Sequence, residues 1–209
     1  MNYPRLYLDA VSTIAKNIDL SAIEDMINIL VDIRKINGRL FILGVGGSAA
    51  NCSHAVNDFR KLAGIDAHAP TDNVSELTAR TNDEGWESVF TGYLNVSRLN
   101  QNDCLLILSV GGGDESRGVS VNLIRAMEMA QSRGARIIAL VGRDGGIAAK
   151  MADSAVVIPV IYPDMITPLS EAWQSVVWHL MVSDPRLLAK ENKWEGLARE
   201  ETIAAGANK

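Results

Sequence analysis

The stretch Leu40-Phe41-Ile42-Leu43-Gly44-Val45-Gly46-Gly47-Ser48 decides the fold, because an apolar run ends there in glycines and a serine just before a helical segment. The pattern recurs at Cys104-Leu105-Leu106-Ile107-Leu108-Ser109-Val110-Gly111-Gly112-Gly113, ahead of a second helical segment near Val121. A strand that stops in this way leaves backbone N–H groups at a helix N-terminus, where they attract an anion. With the hydroxyls of Ser48 and Ser109 as further donors, the loops predict a phosphorylated small molecule at the carboxyl edge of a sheet.

Length, composition and charge indicate one ordinary globular domain. The 209 residues are 47% hydrophobic and 22% charged, with a formal net charge of −5, so broad attraction to nucleic acid or an acidic membrane is not expected. No apolar run reaches about 18 residues and no signal-peptide pattern opens the chain, which indicates a soluble, cytoplasmic protein. Cys52 and Cys104 form no CxxC pair and are expected to be reduced core thiols. Neither glycine loop has the GxGxxG or P-loop spacing, so a nucleotide cofactor is not expected.

Apolar runs alternate with helical segments along most of the chain. Their order predicts an α/β fold, a three-layer sandwich with a mainly parallel, flavodoxin-like doubly wound sheet, preceded by two N-terminal helices. The predicted strands are Arg39–Gly44, Asp103–Ser109, Ala135–Gly142 and Ala155–Ile161. The predicted helices are Asn2–Lys16, a segment from Ser21 to a stop at Gly38, Ala49–Leu62, Ser75–Arg80, Trp86–Leu99, Val121–Arg133, Ile147–Ala152 and Leu169–Val182. Residues 1–184 are predicted to form a single domain, and residues 185–209 a polar, partly disordered C-terminal tail.

The second helix carries start and stop signals and a wide apolar stripe. Ser21 with Glu24 three residues later has the form of a capping box, and Gly38 after Asn37 is a typical stop. The stripe, within residues 23–33, is wider than one packing surface requires. That width favours contact with another subunit, and ordinary burial within the chain is the alternative.

Two helical pairs of polar side chains are candidates for chemistry. His54 and Asp58 lie four residues apart after the first glycine loop, so both face one space and suit a divalent metal or acid–base work. Glu171 and His179 lie eight residues apart in the last helix, roughly 12 Å along its axis. The structural alternatives are a helix-surface pair in the first case, and a solvated glutamate with a packed histidine in the second. Asn82-Asp83 is either a further polar pair near a ligand or a helix stop.

Three motifs in one order resemble those of sugar isomerase (SIS) domains, and among these the sedoheptulose-7-phosphate isomerases, or phosphoheptose isomerases. Gly44-Val45-Gly46-Gly47-Ser48-Ala49-Ala50 is similar to the family's GNGGSAA loop. Thr71-Asp72-Asn73-Val74-Ser75-Glu76-Leu77-Thr78-Ala79, followed by Asn82-Asp83, is similar to its TxDxSxLTAxxND stretch. Leu140-Val141-Gly142-Arg143-Asp144-Gly145-Gly146 is similar to its LTGRDGG turn. The resemblance covers nearly the whole chain, from the N-terminal helices to His179.

This resemblance implies a SIS-type fold and a zinc-assisted interconversion of ketose and aldose phosphates, most directly of sedoheptulose 7-phosphate and a heptose 7-phosphate. It also implies a homotetramer with active sites between subunits and one zinc ion in each. The implied acid–base groups are Asp58 and His179. The implied metal ligands are His54, Asp58, Glu171 and His179. The implied substrate-binding residues are Gly46, Gly47, Ser48, Asn82, Asp83, Ser109, Gly111, Ser116 and Glu171.

The chain departs from the family pattern at positions that would meet the substrate. Val45 stands where the family has a substrate-contacting asparagine, Asp58 is one methylene shorter than the usual glutamate, and Glu171 replaces glutamine, which adds a charge that favours a metal. The family's Ser-Thr-Ser-Gly-Asn-Ser phosphate loop is here longer and poorer by two hydroxyls over residues 109–117. Its acidic side chains would repel a phosphate if they pointed inward, whereas Arg117 would attract one. These differences leave open a different phosphosugar, and a non-catalytic sugar-phosphate-binding or protein-interaction module as the alternative function.

Overall fold

Nine α-helices and five strands form in the computed structural model, which describes residues 2–207. In chain order they are α1 (Tyr3–Asn17), α2 (Leu20–Lys35), β1 (Arg39–Gly44), α3 (Gly47–Lys61), β2 (Asp66–His68), α4 (Val74–Asp83), α5 (Val89–Val96), β3 (Cys104–Ser109), α6 (Val121–Ser132), β4 (Arg136–Val141), α7 (Gly146–Met151), β5 (Ser154–Val157), α8 (Ile166–Ser183) and α9 (Lys193–Ala207). Each of the four predicted strands is present.

The strands are all parallel and lie in the order β2-β1-β3-β4-β5. Gly44 at the end of β1 pairs with Leu108 of β3, and Ser109 at the end of β3 pairs with Val141 of β4. This is the flavodoxin-like order, in which the connections change direction between the first and third strands. The predicted doubly wound, three-layer α/β fold is therefore confirmed.

The edge strand β2 is absent from the predicted strands. It is three residues long, and two of them, Asp66 and His68, are polar, so it has no apolar run to reveal it. Parallel pairing with β1, from Arg39 opposite Asp66 to Phe41 opposite His68, holds it in place. Tertiary pairing decides the structure of such a short segment, because strand propensity depends strongly on context.

Side chains alternate between the two faces of the sheet, and each face has its own apolar core. Leu40 and Ile42 of β1 point into the layer formed by α1, α2, α3 and α8. Phe41 and Leu43 point into the opposite layer, formed by α5, α6 and α7. Because helices cover both faces, the central strands are apolar throughout, which explains their continuous apolar runs in the sequence.

Helix α2 begins at a different cap from the predicted one. The carboxylate of Asp19 accepts hydrogen bonds from the backbone N–H groups of Ser21 (2.9 Å) and Ala22 (3.1 Å), and from the Ser21 hydroxyl. These bonds, led by that of the hydroxyl, lower the pKa of Asp19. An acidic N-cap satisfies orphan N–H groups and also complements the helix dipole, so it replaces the predicted Ser21 cap. At the other end Asn37 takes the left-handed conformation (φ 55°) that stops the helix.

The apolar stripe of α2 is buried within the chain. The helix packs against β1, β5 and α8. Its buried residues, each at most 9% exposed, are Ala22, Ile23, Met26, Ile27, Leu30 and Ile33. The stripe therefore fits the alternative interpretation of ordinary burial, and it requires no second subunit.

Three predicted segments are wrong in detail, each for a local reason. A 3₁₀ turn at Trp86–Ser88 precedes α5, so the predicted helix 86–99 is divided. Strand β5 ends at Val157, shortly before Pro159, which has no N–H to donate to a ladder. The segment predicted to be partly disordered contains α9, whose Ala, Leu, Glu and Arg residues favour a helix. Asn208 and Lys209 of that predicted tail lie outside the described residues.

Both cysteines are free and buried, as predicted. Burial raises the pKa of the Cys52 and Cys104 thiols. A buried thiol with a raised pKa stays protonated and reacts slowly, so both act as small apolar side chains of the core.

We expect Gly44→Ala to destabilise the protein by about 1–3 kcal/mol, the usual cost of overpacking a close contact. A Cβ at Gly44 would lie 2.8 Å from the carbonyl oxygen of Ser48 and 2.9 Å from Cys52 Sγ. Urea denaturation measures the change in the free energy of unfolding. The control is Gly196→Ala in α9, where, among the described residues, no atom outside the local helix backbone lies within 4 Å of the added carbon, and it should not lower stability. Equal stability of the two variants would show that Gly44 is not needed for the close approach of α3 to β1.

Candidate active site

The two glycine loops lie side by side at the carboxyl edge of the sheet. β1 ends at Gly44 and β3 at Ser109, and the two strands are hydrogen-bonded neighbours. α3 begins at Gly47 on one face of the sheet, and α6 begins at Val121 on the other. A crevice between two such loops is where doubly wound proteins bind their ligands. The fold thus brings the two predicted loops to one place.

A buried chain of hydrogen bonds ties the start of α3 to α8. Gln174 Nε2 donates to Ser48 Oγ at 3.1 Å, and Asn51 Nδ2 donates to Gln174 Oε1 at 3.0 Å. The Ser175 hydroxyl donates to Asn51 Oδ1 at 2.9 Å. Ser48 and Gln174 are 1% and 0% exposed, so the bond between them forms away from water and orients the loop, while Asn51 and Ser175 are half-buried. Gln174 and Asn51 are outside the predicted site, and their only sequence signal is a polar residue on an otherwise apolar helix face.

We expect Gln174→Leu to lower the free energy of unfolding by about 1–3 kcal/mol, because it leaves the buried Ser48 hydroxyl and one N–H of Asn51 without a partner. Urea denaturation gives the magnitude. Gln131→Leu is the matched control, since Gln131 is exposed on α6 and its side chain donates only to the carbonyl of Met151. If both variants lost the same stability, the buried network would contribute nothing specific.

His54 and Asp58 on α3 and His179 on α8 converge between the two helices. One ligand atom from each lies within 4.8 Å of the others. The Nε2 atoms of both histidines lie 3.7 Å from Asp58 Oδ2, and the Asp58 side chain is only 12% exposed. Asn57 Nδ2 donates to the other carboxylate oxygen at 2.7 Å. One carboxylate oxygen thus faces two imidazoles at a distance too long for a hydrogen bond but suited to a shared ion.

Neighbouring groups fix both imidazole rings. His179 Nδ1 lies 2.7 Å from the carbonyl oxygen of Ser175. Because a carbonyl only accepts, Nδ1 carries the proton and Nε2 keeps the lone pair in the neutral ring. The Trp178 ring stacks on His179, with 3.5 Å between centroids, and meets His54 edge-on at 4.7 Å. Trp178 is fully buried, so both histidine rings pack against a side chain that is itself held in the core.

Glu171 does not join this group. Among the described residues the cluster consists of His54, Asp58 and His179. The Glu171 carboxylate lies instead against Gly47, where an added Cβ would be 2.5 Å from Oε2. That position suits it, because the positive end of the α3 dipole favours a carboxylate. About 12 Å of helical rise separates it from His179, so the structure brings three of the four predicted ligands together and leaves the fourth beside the glycine loop.

The glycines after β3 allow their loop to pack closely against the turn after β4 and the start of α7. The N–H of Gly112 donates to Ser109 Oγ at 3.0 Å. The carbonyl oxygens of Gly112 and Gly113 accept from the first turn of α7 at 2.8 and 3.2 Å. A Cβ at Gly112 would collide with the carbonyl oxygen of Gly145. Close packing therefore explains why some of these positions are glycine. The glycines do not serve only to offer backbone N–H groups to a phosphate in place of the two missing hydroxyls.

The extra residues of this loop form a small hairpin, in which Asp114 and Val119 exchange two backbone hydrogen bonds of 2.9 Å. Both of its carboxylates have partners, one on α6 and one within the hairpin. Glu115 binds Arg125 at 2.7 Å, and Asp114 accepts from the Ser116 hydroxyl at 2.7 Å, which lowers the pKa of Asp114. The expected repulsion of phosphate is therefore reduced. Ser116, a predicted phosphate ligand, donates its hydroxyl to a carboxylate of its own hairpin instead.

Ser120, outside the predicted set, occupies the start of α6. Its backbone is left-handed (φ 52°), and its side chain makes no capping hydrogen bond to the helix. A serine directly before an apolar helical run is the sequence signal that marks this position. Asn82 and Asp83 are exposed on α4 and hydrogen-bond to each other at 2.7 Å, so their contact with a ligand stays a prediction.

Comparison with known proteins adds family relationships to this geometry. The SIS domain family profile matches residues 6–142. A probable phosphoheptose isomerase from Thermoplasma volcanium is 32% identical over 157 residues, which cover 73% of this chain and 76% of that protein. A phosphoheptose isomerase from Citrifermentans bemidjiense is 31% identical over 168 residues, covering 77% and 80%. The solved structure of a phosphoheptose isomerase from Neisseria gonorrhoeae matches with a TM-score of 0.72 at 27% identity, over 84% of this chain and 90% of that one.

The fold has a polar cluster beside the switch point of a doubly wound sheet, which is a ligand-binding architecture of the α/β class. The chain belongs to the SIS domain family and, within it, to the phosphoheptose isomerases, a group of aldose–ketose isomerases. The resemblance of the three sequence motifs is thereby confirmed. Across residues 2–207, no helix is both long enough and apolar enough to span a membrane.

Proposed function

We propose that the protein interconverts a ketose phosphate and an aldose phosphate, most directly sedoheptulose 7-phosphate and a heptose 7-phosphate. The observation that carries this proposal is the convergence of His54, Asp58 and His179 on α3 and α8, which pack together beside the first glycine loop. A protein that only bound sugar phosphates would need the anion-binding loops but no cluster able to hold a metal or move protons. The names of the relatives, phosphoheptose isomerases, support the choice of substrate.

A divalent metal ion, zinc by resemblance to the family, fits these three side chains. Two ligands held about 2.0–2.1 Å from a tetrahedral zinc lie about 3.3 Å apart. The corresponding distances here, from Asp58 Oδ2 to each histidine Nε2, are 3.7 Å. With two histidines and a carboxylate as its ligands, a bound ion would have room for a substrate oxygen and would polarise a carbonyl. We assign one ion to His54, Asp58 and His179, with Glu171 outside the coordination sphere.

The residues of the chain supply the proton transfers. Aldose–ketose exchange removes a proton from the carbon beside the carbonyl, forms an enediol, moves a proton between the two oxygens, and delivers a proton to the former carbonyl carbon. We assign the removal of the carbon-bound proton to Asp58. Its carboxylate is held largely away from water, where its negative charge interacts more strongly with a nearby proton. His179 would move the oxygen-bound proton through Nε2, since Nδ1 is committed to Ser175. That one lone pair serves the metal or the proton at a given moment, so the two roles compete.

The substrate would lie across the crevice between the two loops. The first loop and α4 would contact the sugar, through Gly46, Gly47, Ser48, Asn82 and Asp83. Glu171, beside Gly47, would accept a hydrogen bond from a sugar hydroxyl. The loop after β3 would hold the phosphate through Ser109, Gly111 and the N–H groups at the start of α6, where Ser120 adds a hydroxyl.

The proposal also includes a homotetramer in the cytoplasm, built from a single SIS domain over residues 1–184 and a tail over residues 185–209. The resemblance to the family supports the tetramer and active sites between subunits. Tyr3 and Leu8, each 61% exposed on α1, supply apolar surface for subunit contact. Light scattering after size-exclusion chromatography measures the assembly, and a monomer at micromolar concentration would contradict it.

Proton exchange in heavy water tests the reaction. The wild type should incorporate deuterium at the carbon next to the carbonyl of sedoheptulose 7-phosphate, and it should do so faster with added zinc. NMR measures the incorporation. Fructose 6-phosphate and ribulose 5-phosphate, run in parallel, identify a different preferred sugar. Binding of these ketose phosphates without exchange at any zinc concentration would contradict the proposal and favour the non-catalytic sugar-phosphate-binding module.

A further inference from the structure

The turn after β4 carries an arginine in an unusual backbone conformation. Arg143 has φ 50°, in the left-handed region that residues other than glycine rarely adopt. Its nearest carboxylate is that of Asp144, 3.9 Å away and beyond hydrogen-bond range. Within the part of the chain that the structure describes, the Arg143 guanidinium therefore has one long, exposed ion pair and makes no hydrogen bond. Backbone strain at a functional edge, combined with an uncommitted side chain, points to a role for that side chain.

The Arg143 side chain lies over the loop that follows β3. A Cβ added at Gly111 would be 3.5 Å from Arg143 Nη1 and 4.0 Å from Cδ, so the guanidinium occupies the space that a side chain at position 111 would face. Residues 109–113 of the loop offer one hydroxyl, that of Ser109, followed by valine and three glycines. That hydroxyl oxygen already accepts from Gly112. The loop is thus poor in side-chain donors where the arginine can supply them.

The charges around Arg143 also favour an anion. A cavity of about 290 Å³ lies between the loop after β3, its hairpin and the turn after β4. Two of its carboxylates pair with arginines outside the cavity lining, Asp114 with Arg117 at 3.6 Å and Glu115 with Arg125 of α6 at 2.7 Å. The third, Asp144, accepts from the backbone N–H of Gly146 at 3.2 Å. Arg143 and Lys150 line the same cavity. Because Asp114 and Glu115 are neutralised by those arginines, only the charge of Asp144 opposes Arg143 and Lys150 in this lining, and the balance favours an anion.

We propose that Arg143 binds the phosphate of the substrate above Gly111. The identity of the sugar rests on the proposed function, whereas the binding of a phosphate group by Arg143 does not depend on it. A planar guanidinium offers two parallel N–H donors to phosphate oxygens, which suits a dianion better than a single hydroxyl does. Gly111 leaves the room for it, and the arginine compensates for the missing hydroxyls of the loop.

Calorimetric titration of the full-length protein with inorganic phosphate tests the proposal directly. Arg143→Gln should raise the Kd for phosphate about 10-fold or more, the usual effect of losing charge-assisted hydrogen bonds. Arg143→Lys keeps the charge but not the planar fork, and should raise the Kd by a smaller factor. Arg143→Asn, which tolerates a left-handed backbone, replaces the glutamine variant if that one fails to fold.

Arg98→Gln is the matched control. Arg98 is also exposed and left-handed (φ 54°), but its carbonyl accepts from Arg39 at the amino end of β1, the opposite edge of the sheet. It should bind phosphate as the wild type does. Gly111→Thr adds a second readout, because bulk beside the guanidinium should weaken phosphate binding several-fold in the wild type but little in Arg143→Gln.

The outcomes separate this inference from the proposed function. A wild type that binds no phosphate, or an Arg143→Gln variant with unchanged Kd, overturns the inference. Isomerisation with a KM that is the same in wild type and Arg143→Gln overturns the inference and leaves the function standing. Phosphate binding that depends on Arg143, in a protein that isomerises no ketose phosphate, supports the inference and contradicts the function.

Discussion

Asp58→Asn is expected to lower kcat by about 10³-fold, within the range that general acid–base groups contribute. The amide keeps the size of the side chain but cannot accept a proton from carbon, and kcat/KM should fall with kcat because the lost interaction belongs to the transition state. NMR of samples quenched at successive times gives the amounts of aldose and ketose phosphate and hence the turnover. Deuterium incorporation from heavy water reports the removal of the carbon-bound proton.

The control for this variant is Asp66→Asn. Asp66 also forms an aspartate–histidine pair, with His68 Nε2 3.2 Å from Oδ1, but on the edge strand β2. It should retain the turnover of the wild type. Turnover of Asp58→Asn within a few-fold of the wild type, with the same zinc content, would remove Asp58 from the proton transfer.

His179→Gln is expected to weaken zinc binding by more than about 100-fold, the upper end of what losing an outer-shell partner costs a metal site. The variant removes the Nε2 lone pair that faces Asp58 Oδ2 from 3.7 Å. Competition with a chromogenic chelator gives the affinity, and elemental analysis of protein purified without an affinity metal gives the stoichiometry, expected to be one zinc per chain in the wild type.

His68→Gln is the corresponding control, because it removes a histidine next to a carboxylate on the edge strand β2, outside the His54–Asp58–His179 cluster. Its zinc content should match the wild type. If His179→Gln kept one tightly bound zinc but lost turnover, the Nε2 lone pair would serve the proton and not the metal. If it kept both zinc and turnover, His179 would have neither role.

Much of the fold could be predicted from the sequence, since it depends on patterns that repeat along the chain. Long apolar runs such as Leu105–Leu108 mark strands that are covered on both faces, and the glycine after each run marks the turn into a helix. Two of the failures were short or capped by a neighbour: the three-residue strand β2, and the start of α2 at Asp19. In both cases the decisive partner is a single strand edge or a single side chain, which carries no periodic signal.

The candidate site, too, has one part that the sequence predicts and another that depends on how the helices pack. The spacing of His54 and Asp58 predicts a shared face within one helix, because that distance is set by helix geometry alone. Whether His179 reaches them, and Glu171 does not, depends on where α8 crosses α3. The buried Ser48–Gln174 bond depends on that crossing too.

By itself, the sequence determined the family, the order of strands and helices, and the two glycine loops that meet at the carboxyl edge of the sheet. These follow from local steric and hydrophobic preferences, which act over a few residues. Only the tertiary structure decided that three of the four predicted metal ligands converge, that the glycines after β3 lock against the turn after β4, and that Arg143 lies over Gly111. Those contacts join segments far apart in the chain, and their geometry is fixed only when the helices pack on the sheet.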